Sequence, residues 1–155
     1  MVIHKDQRPY LKMLAIAGLM ALATSAFGQP VADRVLSSAE INKKEGCTVI
    51  RVQFELPMQY VSHFPESSGD ELRIKIRPQP VGSQEALSLI SREGTRPPFD
   101  EDVGLLSVEF VGRQALSSEL ILEFRRPLTY RVRQGRDYRS ILIGIPGPDT
   151  TVPCP

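Results

Sequence analysis

The sequence predicts an all-β fold: a small sandwich of two similar halves, residues 33–80 and 102–148, with a short helical or irregular connector at 81–101. Three observations predict it. Apolar and polar residues alternate over short runs, the period of a strand with one buried face. Thirteen prolines and eleven glycines, with no tryptophan, suit many turns and short strands. Three blocks of residues recur in the same order at a spacing of 69 or 70.

The elements follow in chain order. Residues 1–28 read as a signal peptide outside the fold. His4, Lys5, Arg8 and Lys12 oppose the single acid Asp6, and the apolar run 13–27 follows. That run is shorter than the roughly 20 residues of a membrane span. Ala26-Phe27-Gly28 is the best cleavage site, Ser25-Ala26 a second, and an uncleaved anchor the alternative. No cysteine at the junction predicts lipidation and no Arg-Arg pair predicts the twin-arginine route, so a periplasmic location is expected. The exported part holds no integral membrane segment. It carries 16 basic and 17 acidic residues once Lys5, Arg8, Lys12 and Asp6 are removed, so no nucleic-acid partner is expected.

Ile50, Val52, Phe54 and Leu56 alternate with Arg51, Gln53 and Glu55, which predicts a strand over 49–56. Pro57 ends or bends it, and 58–64 resumes as a short strand. Residues 65–70 are a turn, and Leu72, Ile74 and Ile76 mark the next strand, stopped by Pro78 and Pro80. Glu85–Arg92 has the pattern of one or two helical turns inside the connector. Strands are then expected over 105–111 and 120–124, with a turn at 112–118 between them. Pro127 interrupts, and Tyr130 and Val132 begin a further strand. Gly135-Arg136-Asp137 turns the chain into 141–145, apolar on both faces and so expected to be central. Residues 149–155 form a proline-rich tail. An internal disulfide between Cys47 and Cys154 is expected in an oxidising compartment, although sequence leaves the distance between them open.

The repeat is read from these strands. Val35-Leu36-Ser37 matches Leu105-Leu106-Ser107; Phe54, Pro57 and Tyr60 match Phe124, Pro127 and Tyr130; Leu72, Ile74 and Ile76 match Ile141, Ile143 and Ile145. The pattern Val52, Phe54, Pro57, Tyr60, Leu72, Ile74, Ile76, Pro78, with its second copy Leu122, Phe124, Pro127, Tyr130, Ile141, Ile143, Ile145, Pro146, resembles the AMIN domain. The resemblance covers roughly residues 33–148 and implies a symmetric β-sandwich that binds peptidoglycan in the bacterial cell envelope. The long 81–101 insertion departs from the pattern.

No residue set announces catalysis. His63 is the single histidine beyond residue 28, and its neighbour Ser62 points to the other face of a strand. One histidine and two cysteines make no metal set, Asp100-Glu101-Asp102 lacks calcium-loop spacing, and no phosphate loop occurs. A non-catalytic protein without a cofactor is therefore expected. The charge pattern is basic instead. Arg125, Arg126, Arg131, Arg133, Arg136 and Arg139 lie close together in sequence, and Arg73, Lys75 and Arg77 share one outer face. Arginine matches carboxylates with its planar fork. Arg131, Arg133, Arg136, Arg139, Arg73, Lys75 and Arg77 are thus the expected ligand contacts, unless they only keep the sheets apart from other chains. The apolar strand at Ile141, Leu142 and Ile143 is the expected surface for a protein partner, the second reading. The oligomeric state stays open.

Overall fold

A computed structural model describes residues 34–44, 46–79, 89–113, 118–148 and 154. The expected signal peptide and the first half of the expected helix at 85–92 lie outside these residues. Among the described residues the fold is all-β, with nine strands and no helix. They are β1 (Leu36–Lys44), β2 (Cys47–Phe54), β3 (Met58–Phe64), β4 (Ser68–Pro78), β5 (Arg92–Thr95), β6 (Leu105–Val111), β7 (Ser118–Thr129), β8 (Arg131–Gln134) and β9 (Ser140–Pro146). All pairings are antiparallel. The alternation works as expected. Ile50, Val52 and Phe54, then Leu72, Ile74 and Ile76, then Leu120, Leu122 and Phe124, then Ile141 and Ile143 all enter one shared core. Full burial of a side chain of this size contributes about 1.5–3 kcal/mol.

Two sheets enclose that core. One has the order β1-β2-β9-β8 and the other β3-β4-β7-β6-β5. The chain therefore lays its first hairpin in one sheet, crosses for the middle strands, and returns for β8 and β9. Relabelling β1 to β4 as β6 to β9, and the reverse, turns the first order into β6-β7-β4-β3, the second sheet without β5. A bulge also recurs. Leu36 faces Phe54 and Ser38 faces Gln53, with one residue skipped; Leu105 faces Phe124 and Ser107 faces Glu123 in the same way. Ladder position thus equates Leu36 with Leu105, one residue away from the alignment expected from sequence. Burial agrees, because Leu36 and Leu105 are inside and Leu106 is exposed.

Four strand readings change. β1 was not readable, because the bulge brings Leu36 and Ala39 inward at a spacing of three. The connector is part of a sheet: Leu89 and Ile90 form a turn and β5 follows as an edge strand on β6. Ser118, expected in a turn, opens β7. β7 also runs through Pro127 without a break. β4 skips from Leu128 to Glu123 in its pairing, and β6 stops at Phe124, so Pro127 sits where neither neighbour asks for its missing N–H. Pro57, by contrast, stands between β2 and β3 where the chain changes sheet.

Side chains close the two seams between the sheets. The Gln134 Oε1 accepts the Tyr60 N–H at 2.6 Å, joining edge strands β8 and β3. The Glu93 carboxylate accepts the N–H groups of Val35 and Leu36, both at 2.9 Å, joining β5 to β1. The expected disulfide is present: Cys47 and Cys154 have Cα atoms 5.7 Å apart and tie the tail to the start of β2.

Candidate functional site

The outer face of the four-stranded sheet is built by register. Arg133 on β8 pairs with Leu142 on β9, which pairs with Arg51 on β2. Arg131 pairs with Gly144, which pairs with Val49. Val132, Ile143 and Ile50 point into the core, so these alternate residues point out. Adjacent strands lie about 4.8 Å apart, so Arg133 and Arg51 flank Leu142 from backbones about 10 Å apart. Glu40 continues the row on β1.

The β8–β9 turn closes one end of this face. A concavity of about 290 Å³ is lined by Arg51, Arg133, Gln134, Gly135, Arg136, Asp137, Ser140 and Leu142. Asp137 organises it. Its Oδ1 accepts the Ser140 hydroxyl at 2.7 Å and the Arg139 N–H at 3.1 Å, and its Oδ2 accepts Arg51 Nη2 at 2.5 Å. Burial alone would raise the Asp137 carboxyl. The Ser140 and Arg139 hydrogen bonds, the Arg51 charge and Gln53 outweigh that and hold it below the ordinary carboxylate value. Arg51 Nε donates to Gln53 Oε1 at 3.1 Å, so this guanidinium is fixed on two sides. Gly135 makes the turn tight enough: an added Cβ there would meet Ser140 Oγ at 2.0 Å and Asp137 Oδ1 at 2.8 Å.

The expected contact residues divide between sheets. Arg131 and Arg133 are exposed on the four-stranded face and Arg136 is exposed in its turn. None of the three side chains has a hydrogen bond or ion pair among the described residues. Arg139 turns away, donating to the Glu55 carbonyl. Arg73, Lys75 and Arg77 lie on β4, in the other sheet. There Arg73 pairs with Glu71 at 2.6 Å, Lys75 lies opposite Glu119, and Arg77 donates to Gln59 at 3.4 Å. That second face is laced with opposite charges, including the Arg92–Glu109 pair at 2.6 Å. The expected apolar partner surface narrows as well. Ile141 and Ile143 are fully buried core residues, because the strand's alternation sends them inward; Leu142 alone of the three reaches the outer face.

A larger concavity of about 600 Å³ lies at the end of the sandwich, between the β1–β2 hairpin and the turn at 101–103. Two of its cations, Lys43 and Arg126, are engaged. Lys43 bridges Asp102 at 2.8 Å and Asp100 at 2.9 Å, and Arg126 donates to the Asp102 carbonyl at 2.9 Å. The Asp102 and Asp100 bonds raise the Lys43 ammonium, and the Lys43 bond lowers the Asp100 carboxyl. His63 lies near the end of β3, opposite Ile74 on β4. Its Nε2 faces the Glu66 carbonyl at 2.9 Å, so that nitrogen carries the proton and Nδ1 accepts the Tyr60 hydroxyl at 2.6 Å. Burial raises the Tyr60 phenol above its ordinary value. No cluster with metal-ligand composition occurs among the described residues.

Sequence reasoning missed Arg51, Gln53, Asp137 and Ser140 as site residues. Alternation already marked Arg51 and Gln53 as outward, but no local signal brings β2 beside β9. No protein-family model, curated protein or solved structure matches the chain.

Proposed function

We propose that this chain is a non-catalytic, exported module of the cell envelope that binds peptidoglycan through the outer face of its four-stranded sheet. One observation carries the reading. The side chains of Arg131, Arg133 and Arg136 have no partner among the described residues; Arg133 and Arg136 line the concavity beside Leu142 together with Arg51, and Arg131 stands on the same face opposite Gly144. A wall polymer presents stem-peptide carboxylates, and guanidinium groups free of internal partners suit them. The permuted strand order of the two sheets and the recurring bulge support the AMIN-like reading. The disulfide suits an oxidising, periplasmic location.

The test is co-sedimentation with purified sacculi at low and high salt. Residues 1–28 are left out, since every described strand lies beyond them. Pelleting is expected at low salt and is expected to fall as salt screens the arginines. Arg131→Ala/Arg133→Ala is expected to abolish it, whereas Arg73→Ala/Arg77→Ala, on the balanced sheet, is expected to leave it. Absence of pelleting by the unmodified chain at any salt would retire the wall-binding reading.

The second reading is docking of another envelope protein on edge strand β3, where Val61 and Phe64 are exposed. Such a contact is apolar and is expected to survive salt.

A further inference from the structure

We infer that the concavity beside Leu142 takes the end of a peptide: a free carboxylate carried by a small apolar residue. This rests on the proposed wall-binding face and specifies which part of the polymer that face reads.

Charge comes first. Arg51, Arg133 and Arg136 meet a single carboxylate in the lining, Asp137. Both oxygens of Asp137 are already engaged, by Ser140, the Arg139 N–H and Arg51. Arg133 and Arg136 therefore have no partner within the site, and the site has an excess of cations waiting for an anion. Arg51 is clamped through Nε and Nη2, so it is held in place beforehand while Nη1 stays available. A guanidinium so placed accepts a planar carboxylate better than a diffuse anion.

Shape and polarity narrow the ligand further. At about 290 Å³ the concavity lies at the small end of ligand sites and suits a chain terminus. Leu142 is the one apolar side chain in its lining, and it lies between Arg133 and Arg51 in the ladder. A methyl group beside a carboxylate matches that arrangement. No aromatic ring lines the site, so the apolar face of a sugar ring finds no flat platform there.

The experiment is an NMR titration of the chain from Gln29 onward. The probes are N-acetyl-Ala-Ala with a free carboxylate, the same peptide as its C-terminal amide, and a chitin tetrasaccharide. The acid is expected to shift the amides of Arg133, Ser140 and Leu142, with neither the amide nor the sugar doing so. Arg133→Ala and Arg136→Ala, both exposed and free of structural bonds, are each expected to weaken the acid about tenfold. Equal binding of acid and amide, shifts at these amides with the sugar, or no response to the acid each overturns the inference. Failure here with sacculi still pelleting removes this inference alone. Peptide binding without pelleting removes the wall-binding reading and leaves the carboxylate site standing.

Discussion

At the scale of single residues, Gly135 and Glu93 do work that no other side chain at their positions would do. Gly135 lets the β8–β9 turn close onto Ser140 and Asp137, and it donates its N–H to the Ser140 carbonyl at 2.8 Å. Gly135→Ala is expected to push the turn open, costing about 1–3 kcal/mol by overpacking. It is also expected to break the Asp137–Arg51 contact, read as a change in the Arg51 side-chain NMR signals. Glu93 accepts the Val35 and Leu36 N–H groups and the Ser91 hydroxyl through one carboxylate. Hydrogen bonds to a charged acceptor are worth more than neutral ones, so Glu93→Ala is expected to cost about 1.5–3 kcal/mol. The check is urea unfolding, with a lower midpoint and an unchanged slope. Gly135 was readable as a turn residue, but Glu93 was not readable at all. Its partners lie 57 and 58 residues away, and only the seam between β1 and β5 brings them together.

At the scale of elements, the sequence marked every strand whose inward residues follow a strict period of two. It missed β1, where a bulge breaks the period, and β5, a four-residue edge strand that keeps no buried residue of its own. Pro127 misled for a physical reason: a proline interrupts a strand only where a neighbour needs its N–H, and here none does. Pro127→Ala is accordingly expected to change stability by less than about 1 kcal/mol, whereas prolines within a paired ladder are costly. The disulfide joins residues 107 apart and so closes most of the described chain into one loop. Loop entropy of that length corresponds to about 4.7 kcal/mol as an upper figure, and native bridges in small domains are typically worth 2–5 kcal/mol. Reduction is expected to lower the unfolding midpoint by a corresponding amount, measured by thermal or urea denaturation with and without reductant.

At the scale of the whole molecule, the two outer faces differ although both inner faces enter one core. One is a lattice of opposite charges; the other holds arginines around a leucine. Acid should act on the fold through the two depressed carboxyls among the described residues, Asp100 and Asp137. A carboxyl whose folded value lies below its unfolded value adds stability that is complete above the unfolded value, about 3.9. That stability is lost as pH falls through the lower folded value. Unfolding midpoints are therefore expected to be flat from pH 7 down to about 5 on account of these groups and to drop below about pH 4. Asp100→Asn/Asp137→Asn is expected to start less stable at neutral pH and to show a shallower acid decline. Lys43 behaves in the opposite sense: its raised value means that its contribution is present below its ordinary value and is lost as strong alkali removes the proton.

The sequence by itself determined the fold class and most of the core, because alternation and burial are local properties of a strand; it made the disulfide an expectation, and the 5.7 Å between the Cys47 and Cys154 Cα atoms is a fact of the tertiary structure. The sequence also marked the arginines of β8 as outward. Only the tertiary structure decided which charges remain free. Ladder pairing of β9 with both β2 and β8 brings Arg51 beside Leu142 and Arg133, from segments that are distant in the chain. On the other sheet Arg73 is bridged by Glu71 on its own strand and by Glu119 from β7, and Lys75 stands opposite Glu119. Charge is written residue by residue, but its neutralisation depends on the neighbour across the strand, and strand order is a long-range property that no local pattern encodes.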